Sequence, residues 1–531
     1  MKRFLAFLLC LTLLCLMLPA ILAAGVFSEY AADAGANTYT FRVNLKETES
    51  GSLSVYSESG SLKNDAQSGM RFRGASVQST EFSNWEEAGN AAVEGTDYSV
   101  DTNGDYTVMT ALGLAKIANL VNSGEEQFAG KTVTLSQSID LLDGGVAGYA
   151  KDTVTAENSW NPIGTLSYDF AANQVTVMPF LGVFDGNDCT VKNLFINYPD
   201  VFAKNAGLFG STLSDFNIGG QCVIQNIRIE GAKIEAGFPI ANSFLVGMAA
   251  DTVLSGCTVD ETSEMTVLSD DVQLNGGIAG GAQESTLDLG GETLIEDCVN
   301  NGTITGGMVT GGIVGGTGQK ILNCTNNGTI TASMNVGGIA GLYSEDNGFA
   351  PFEIINCANA GDITATYSWA GGIVGDIYVE SEDGLIANCS NSGNITAGGD
   401  AGGISGSSAG MQIKNCYNTG DIQGDGSAEN LGGIAGFQSE TGSLVNCYSA
   451  GNVSGGAAES TGAAVGQNKG TVKNMYYPQG AAALGAVSSG TAENVIAFDT
   501  SKRLENALPT GEDTLWSALT AYGRGYALER A

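Results

Sequence analysis

Acidic side chains recur in the segments that separate a Gly-Gly-Ile phrase from the next Asn-Cys or Asp-Cys phrase. They are Glu284, Asp288, Glu345, Asp346, Glu380, Glu382 and Asp383. Carboxylates grouped in this way can bind a divalent cation, hydrogen-bond a ligand, or form the acid–base pair of a glycoside hydrolase. No segment has the spaced Asp pattern of an EF-hand or of the nonapeptide calcium repeat. We therefore predict no cofactor, and keep Ca²⁺ binding as an alternative to simple solvation of the acidic loops.

Trp369 and Tyr378 are the aromatic residues nearest to these acidic segments. A facing pair of carboxylates lined by exposed aromatic rings would favour a carbohydrate-active enzyme, in which one acid protonates the leaving oxygen and the other activates water. Either ring can instead pack against the fold. We therefore treat both, together with the acidic residues, as candidate ligand-facing positions.

The chain contains no His. This absence excludes Ser-His-Asp and Cys-His catalysis and the HExxH zinc motif. Between Cys257 and Cys447 the only basic residues are Lys320 and Lys414, whereas a lyase that acts on uronates would need clusters of cations. With no recognisable catalytic motif, the sequence predicts a protein that is not an enzyme.

The charge balance is strongly acidic, with 57 Asp and Glu against 22 Lys and Arg and a formal net charge of −35. Such a field repels nucleic acid and anionic membranes. It is also typical of a soluble exported protein. We therefore expect no nucleic-acid partner.

The cysteines beyond the N-terminal apolar segment follow the repeat and form no close pairs. They are Cys189, Cys222, Cys257, Cys298, Cys324, Cys357, Cys389, Cys416 and Cys447. Stacked parallel side chains do not readily adopt the near-perpendicular dihedral angle of a disulfide. We predict a buried ladder of thiols packed as small hydrophobic groups, with disulfides as the alternative. Zinc is less favoured, because structural zinc sites use closely paired Cys or His ligands.

These residues are positioned by a repeat in which the phrase Gly-Gly-Ile-x-Gly alternates with Asn-Cys. The phrase begins at Gly276, Gly311, Gly337, Gly371, Gly402 and Gly432. The spacing from Cys to the next Gly-Gly is nearly constant, whereas the spacing from Gly-Gly to the next Cys varies, so insertions collect on one arc of each unit. Each unit has three β-type segments, and frequent Gly and β-branched residues disfavour helices. The pattern predicts an all-β fold, a parallel β-helix solenoid.

The direction of the side chains follows from the same repeat. The position three residues before Cys is apolar in each unit, as at Ile321, whereas the next position admits Lys414, so the first is expected to face the core. Strict alternation would place Cys outside, and we predict a left-handed bend at the preceding Asn, such as Asn323, that turns it inward. A second corner with positive φ is expected at the recurrent glycines Gly328, Gly361, Gly393, Gly420 and Gly451.

The flanks differ in composition from the repeats. The sequence divides into a secretory signal peptide over 1–24, a polar β-rich lead-in over 25–103, the β-helix over 104–477 (clearest over 274–477), and a C-terminal cap over 478–531. An uncleaved anchor is the alternative to the signal peptide. Thr110 is expected to cap a short amphipathic helix that covers the N-terminal end of the solenoid, and short helices are expected in the C-terminal cap.

Several phrases precede the repeats in a fixed order. They are Trp160-Asn161-Pro162-Ile163-Gly164, Phe180-Leu181-Gly182-Val183-Phe184-Asp185-Gly186-Asn187, Asn193-Leu194-Phe195-Ile196 and Gly207-Leu208-Phe209-Gly210. With the repeats, they resemble the GLUG-motif family of bacterial surface and secreted proteins. The resemblance implies an exported, often adhesin-like protein with a right-handed parallel β-helix and no established catalytic residues. The motif also accompanies immunoglobulin A metallopeptidases, whose HExxH motif cannot exist in a chain without His.

Together these features favour a secreted or cell-surface β-helix that binds glycans or host and extracellular-matrix proteins through loops on one face. A glycoside hydrolase-like enzyme with a carboxylate pair and a structural surface spacer are the alternatives. No membrane insertion is expected once the signal peptide is removed.

Overall fold

The computed structural model describes residues 81–169, 174–202, 205–238, 240–269, 273–283, 293–317, 320–344, 352–378, 384–457, 460–481, 487 and 491–498. The predicted signal peptide, the lead-in before residue 81 and the predicted C-terminal helices lie outside these residues and stay predictions. Within residues 81–103 the chain forms the helix Trp85–Asn90 and the strand Tyr98–Val100.

The described chain winds into a stack of coils that pair in parallel and in register. Ile321 pairs with Ile354, which pairs in turn with Ile386 in the next coil. Adjacent strands lie about 4.8 Å apart, so equivalent side chains form ladders along the stack. The predicted all-β, parallel β-helix solenoid is thus confirmed.

The coil that begins at Lys320 illustrates the common plan. Its strands are Lys320–Leu322, Thr325–Asn326, Ile330–Ala332, Val336–Gly337 and Ala340–Ser344. The three segments expected per unit are therefore divided further, because the chain bends at Asn323 and turns again at Gly338 and Ile339.

The strands of successive coils assemble into long sheets, which we name by recurrent residues. The Cys sheet contains Tyr98–Val100, Tyr106–Val108, Thr132–Leu135, Ile139–Asp140, Val183–Asp185, Thr190–Lys192, Cys222–Gln225, Arg228–Glu230, Thr252–Ser255, Thr258–Val259, Leu294–Glu296, Val299–Asn300, Lys320–Leu322, Thr325–Asn326, Glu353–Ile355, Ala358–Asn359, Gly384–Ala387, Ser390–Asn391, Met411–Lys414, Tyr417–Asn418, Ser443–Ser449, Thr471–Pro478 and Thr491–Phe498. The Thr sheet contains Phe195–Phe202, Lys233–Phe238, Glu264–Val267, Thr303–Gly306, Ile330–Ala332, Ile363–Ala365, Ile395–Ala397, Ile422–Gly424 and Val453–Ser454.

The remaining long sheets flank the Gly-Gly phrase. The Gly sheet contains Ala241–Ser243, Leu274–Gly276, Val309–Gly311, Val336–Gly337, Ala370–Gly371, Ala401–Gly402, Leu431–Gly432 and Thr461–Gly462. The Val sheet contains Phe209–Leu213, Val246–Ala250, Ala279–Gln283, Val314–Thr317, Ala340–Ser344, Val374–Tyr378, Ser405–Ser408, Ala435–Gln438 and Val465–Asn468. A separate antiparallel hairpin pairs Thr165–Asp169 with Gln174–Met178.

A helix covers the N-terminal end of the core, as predicted. It spans Ala111–Asn122, and the Gly113 amide donates a hydrogen bond to Oγ1 of its N-cap Thr110 at 3.2 Å. Its residues Leu114 and Ile117 are fully buried and belong to the same core as the first coils. The helix Trp85–Asn90 and the 3₁₀ turn Leu141–Gly144 pack beside it.

The bend before each Cys is confirmed. Asn323 has φ 55° and Asn356 has φ 58°, and Asn388, Asn415 and Asn446 repeat this left-handed conformation. Their amides stack along the solenoid, so that Asn356 Nδ2 donates to Asn323 Oδ1 at 3.1 Å. The bend turns each following Cys into the core.

The predicted reason for the second Gly corner is wrong. Gly328, Gly361 and Gly393 do not have positive φ. A Cβ on Gly328 would instead lie 1.9 Å from the Gly302 carbonyl oxygen of the preceding coil. The glycine is required by the close approach of neighbouring coils, and the local backbone conformation does not require it.

A second, buried Asn ladder explains the Gly-Gly phrase. Asn326 Nδ2 donates to Asn359 Oδ1 at 2.8 Å and to the Gly328 carbonyl at 2.9 Å. A Cβ on Gly338 would lie 2.4 Å from Asn359 Cγ and 2.2 Å from the Gly372 carbonyl oxygen. Because the amide ladder fills this space, a side chain at the second Gly has no room.

Candidate functional site

All seven acidic residues singled out from the sequence lie outside the described residues. These are Glu284, Asp288, Glu345, Asp346, Glu380, Glu382 and Asp383. Their role in ligand binding stays a prediction. Trp369 and Tyr378 are described, and both belong to the coil that contains the strands Ala370–Gly371 and Val374–Tyr378.

The thiol ladder is present and forms part of the core. The side chains of Cys257, Cys298, Cys324, Cys357, Cys389, Cys416 and Cys447 are buried and free of disulfides. Burial, together with the neighbouring thiols, raises the pKa of Cys324 and of Cys416 well above the usual range. Because the thiolate is the reactive form, the thiols of Cys324 and Cys416 are chemically quiet.

The outer face of the Thr sheet carries a regular polar array. Its central column, in register from coil to coil, is Glu235, Thr266, Thr305, Thr331, Thr364, Thr396, Gln423 and Ser454. Tyr367 lies at the end of this face, and its side chain is 70% exposed. Beyond Glu235, whose carboxylate lies 3.3 Å from Lys233 Nζ, the column offers hydroxyl and amide groups.

The Gly sheet and the Val sheet meet at a concave corner that runs along the solenoid axis. Leu274 projects from the Gly sheet, and a Cβ on Gly316 in the Val sheet of the next coil would lie 2.9 Å from Leu274 Cδ2. A Cβ on Gly281, in the same coil, would lie 3.0 Å from Leu274 Cδ1. Side chains of the Gly-sheet wall therefore reach over the Val-sheet wall.

We call this feature the corner groove. Its Gly-sheet wall consists of Leu274, Val309, Asn335, Trp369, Asp400 and Asn430, which occupy equivalent positions in successive coils. Its Val-sheet wall consists of Met248, Gly281, Gly316, Leu342, Asp376, Ser407, Phe437 and Gln467.

The polarity and the exposure of the lining side chains change along the corner groove. Met248, Val309 and Leu342 are apolar and buried in its N-terminal part. Leu274 and Gly316, also in that part, are partly exposed. From Trp369 onward the lining side chains are polar or aromatic, and those of Trp369, Asp376 and Phe437 are partly exposed. We call the stretch from Trp369 to Gln467 the open part of the groove.

Two aromatic rings bracket the open part. Trp369 and Phe437 lie two coils apart, which corresponds to about 10 Å along the axis. The Lys469 ammonium stands 5.2 Å from the centre of the Phe437 ring at the far end. Two rings at this separation suit a chain of sugar units better than a single small molecule.

Asp376 lies in the same coil as Trp369, on the facing wall, and Asp400 lies one coil further, on the same wall as Trp369. Burial, with a smaller contribution from the negative charge of Asp400, raises the pKa of Asp376 to about 6, against hydrogen bonds from Ser407 and from the Ile377 backbone amide. Burial also raises the pKa of Asp400 to about 6. Asp400 Oδ1 accepts hydrogen bonds from the Asn430 backbone amide at 3.0 Å and from Asn430 Nδ2 at 2.9 Å, which favour its ionised form.

Asn335 precedes Trp369 in the same wall and is unusual. Its side chain is fully buried, and neither Oδ1 nor Nδ2 has a hydrogen-bond partner among the residues that the structure describes. A buried unpaired amide costs free energy, about 1–3 kcal/mol per group.

The sequence singled out Trp369 but missed both groove carboxylates. Asp376 follows Gly-Gly-Ile-Val-Gly, at the position where other copies have Gly316, Leu342, Ser407 or Phe437. This single departure from the repeat was the available signal. Asp400 directly precedes the next Gly-Gly copy and is recognisable only once the coils are stacked.

Neither a metal centre nor a membrane span is found in the part of the chain that the structure describes. No group of three or more His, Cys, Asp or Glu side chains there is placed to hold a metal ion. No described helix is long and apolar enough to cross a bilayer.

Comparisons with known proteins find little. No protein-family model matches the chain, and no curated protein matches it. A solved structure described as "a putative immunoglobulin A1 protease from Bacteroides ovatus" is similar at 18% identity, over 78% of this chain and 91% of that chain, with a TM-score of 0.34. The resemblance to the GLUG-motif family stays a prediction.

This comparison contradicts the expectation, based on the missing His, that the chain is not an enzyme, because the matched structure is named as a protease. The lack of His excludes particular catalytic groups only, and a pair of carboxylates suffices for some hydrolytic reactions. At this identity and TM-score, no particular activity is transferred to the chain.

Proposed function

We propose that this chain is an exported β-helix protein that binds a glycan lengthwise in the corner groove, in an adhesive role at or near the cell surface. The observation that carries the proposal is the open part of the groove, where Trp369 and Phe437 bracket polar side chains. Aromatic faces pack against the apolar faces of sugar rings, while amides and carboxylates bind their hydroxyls.

The charge of the region supports a neutral glycan. The groove wall contributes Asp376 and Asp400, while Lys469 lies at one end. A polyanionic glycan would be repelled by these carboxylates and by the net charge of −35. Neutral sugars have no such penalty.

The acidic segments predicted to bind ligand follow strands of the groove wall in the sequence. Residues 345–351 come after the Val-sheet strand Ala340–Ser344, and residues 379–383 come after Val374–Tyr378. We propose that the loops extend the binding surface, toward glycans or host-matrix proteins.

The test is a glycan and host-matrix array probed with the purified protein, with and without calcium. Trp369→Ala and Phe437→Ala are expected to weaken glycan binding about tenfold, the loss of one aromatic stacking contact. Tyr367→Ala, an exposed ring outside the groove, is the matched control and should bind as wild type. Equal binding by all three variants would refute the corner groove as the glycan-binding site. Binding to matrix proteins alone would refute the glycan assignment.

Export is proposed from the sequence of residues 1–24. Its test is the N-terminal sequence of the protein recovered from the culture medium or cell surface of a bacterial host. A mature N-terminus near residues 24–25 supports cleavage. Full-length protein confined to the cytoplasm would refute export.

A further inference from the structure

A column of tyrosine residues runs along the outer face of the Cys sheet in the last coils of the solenoid. Tyr417 pairs in register with Tyr448, and Tyr448 pairs with Tyr476. Each follows a left-handed Asn and an inward Cys or Met, so alternation directs its ring away from the core. Thr325 and Ala358 hold the same position in earlier coils and are partly exposed, as expected for an outer face.

Two of these outward rings are nevertheless buried. Tyr448 is 0% exposed and Tyr476 is 2% exposed, and even the hydroxyl oxygen of Tyr448, the outermost atom of its ring, is buried. Rings about 4.8 Å apart shield one another along the axis but leave the side that points away from the sheet open. Burial of that side requires a further segment over the two rings. Lys414 and Lys473, in the neighbouring outer column, are exposed, so this segment is confined to the tyrosine column.

The chain beyond the last strand is placed to supply such a segment. The strand Thr491–Phe498 pairs with Thr471–Pro478, and Ile496 continues the tyrosine column next to Tyr476. Residues 499–531 therefore leave the solenoid beside the buried rings. A helix of ten residues is about 15 Å long, which equals the span of three coils about 4.8 Å apart. Even one short helix is thus long enough to cover the column.

The sequence of residues 499–531 fits an aromatic surface. Leu515, Trp516, Leu519 and Tyr522 recur at the spacing of one helical face. An apolar helical face is buried against another element in globular proteins, and Trp and Tyr rings pair favourably with other aromatic rings. The segment has four basic and five acidic residues, so the net charge of −35 of the chain hardly repels it.

We propose that residues 499–531 fold back along the solenoid and pack the face that contains Trp516 against Tyr448 and Tyr476. We call this segment the C-terminal clamp. Among the described strands, Thr491–Phe498 has a partner on one side only, and an open strand edge invites pairing with other chains. The clamp holds this last strand against the stack. The inference does not depend on the corner groove or on glycan binding.

Trypsin digestion of the native full chain tests the docking. Lys502 and Arg503 are cleavage sites at the start of the clamp, and a docked segment is cut slowly because it must first detach. Tyr448→Ala and Trp516→Ala remove the two sides of the contact. Each should raise the rate of cleavage after Arg503 about tenfold, the loss of one buried aromatic contact. Thr325→Ala, at the equivalent outer position of an earlier coil, is the matched control and should be cut as wild type.

The double variant shows whether the two rings meet. If Tyr448 and Trp516 contact each other, the variant that carries both substitutions should be cut hardly faster than either single variant, since all three lose one contact. Rate increases that multiply would overturn the pairing of these two residues. A wild-type clamp that is cut as fast as the clamp of the variants would overturn the docking itself.

Other occupants of the tyrosine column give different fragments, which mass spectrometry identifies. If the lead-in before residue 81 covers the column, Tyr448→Ala should accelerate cleavage after Lys63 or Arg71 and leave Arg503 unchanged. If a second copy covers it, Tyr448→Ala should convert a dimer into a monomer in light scattering, again with unchanged cleavage after Arg503. Either result overturns the proposal.

Circular dichroism of each variant shows whether the β-helix has folded. Tyr448 is buried, so its replacement also tests the stability of the last coils. Trp516→Ala lies outside the strands of the solenoid and decides the test alone if Tyr448→Ala does not fold. Protection of Arg503 that is unchanged in Trp516→Ala would then overturn the proposal.

Discussion

Asp376 and Asp400 lie in successive coils and on different sheets, yet the charge of Asp400 contributes to the raised pKa of Asp376. They are separated in sequence by a complete passage through the Cys and Thr sheets. The corner between the Gly and Val sheets brings them into one groove. This relationship gives the protein a pair of carboxyl groups that titrate near neutrality.

Replacing Asp376 should change how stability depends on pH. Its pKa is about 6 in the folded protein against 3.8 as the ordinary value, so the folded state binds an extra proton between these values. The unfolding free energy contributed by this group therefore falls as pH rises from about 4 to above 6. Asp376→Asn should be more stable than wild type at pH 7, by about 1–3 kcal/mol, and equal to it near pH 3.5.

Urea unfolding at several pH values measures this difference. Asp362→Asn, on the exposed Thr face, is the control and should follow wild type throughout. A stability gain that does not depend on pH would contradict the assignment to titration of Asp376.

The thiol ladder should be inaccessible in the native protein. Cys324, Cys357 and Cys389 are fully buried, and burial raises the pKa of Cys324 and Cys357. Iodoacetamide at pH 8 should leave them unmodified in the native state and label them in denaturant. Mass spectrometry measures the labelling of these cysteines in the native and in the denatured protein. Disulfide-linked peptides from the native, unreduced protein would show that the ladder is oxidised instead.

The second Gly of the repeated phrase should not tolerate a side chain. Gly338→Ala would place a Cβ 2.2 Å from the Gly372 carbonyl oxygen, and backbone atoms cannot move aside cheaply. We expect a loss of several kcal/mol, comparable to severe overpacking. Gly426→Ala is the control, since nothing lies within 4 Å of that Cβ, and its φ of 97° costs only about 1–2 kcal/mol. Thermal unfolding of both variants gives the comparison, and equal losses would contradict the close-contact explanation.

Local patterns in the sequence were enough to predict the solenoid, the inward Ile321 series and the left-handed Asn323 series. These depend on short-range rules, namely strand alternation and the conformational preference of Asn. The role of Gly328 was misassigned because its constraint comes from the carbonyl of the preceding coil. No local pattern reveals a contact across coils.

The groove carboxylates were missed for the same physical reason. Asp376 and Asp400 become neighbours only when the register between coils is known, and insertions of variable length separate successive units. The sequence pointed to the acidic segments because they are locally dense in charge. Sparse carboxylates on a regular scaffold give no such signal.

The in-register Asn ladders have a consequence for how this surface can change over time. Since equivalent amides repeat in successive coils from Asn300 to Asn418, a coil duplicated or deleted within this stretch would rejoin its neighbours with the same amide bonds. Such an event would shift Phe437 relative to the carboxylates by a whole step of about 4.8 Å. The spacing of side chains along the corner groove can thus change in whole coils, while the pairing within the remaining coils is kept.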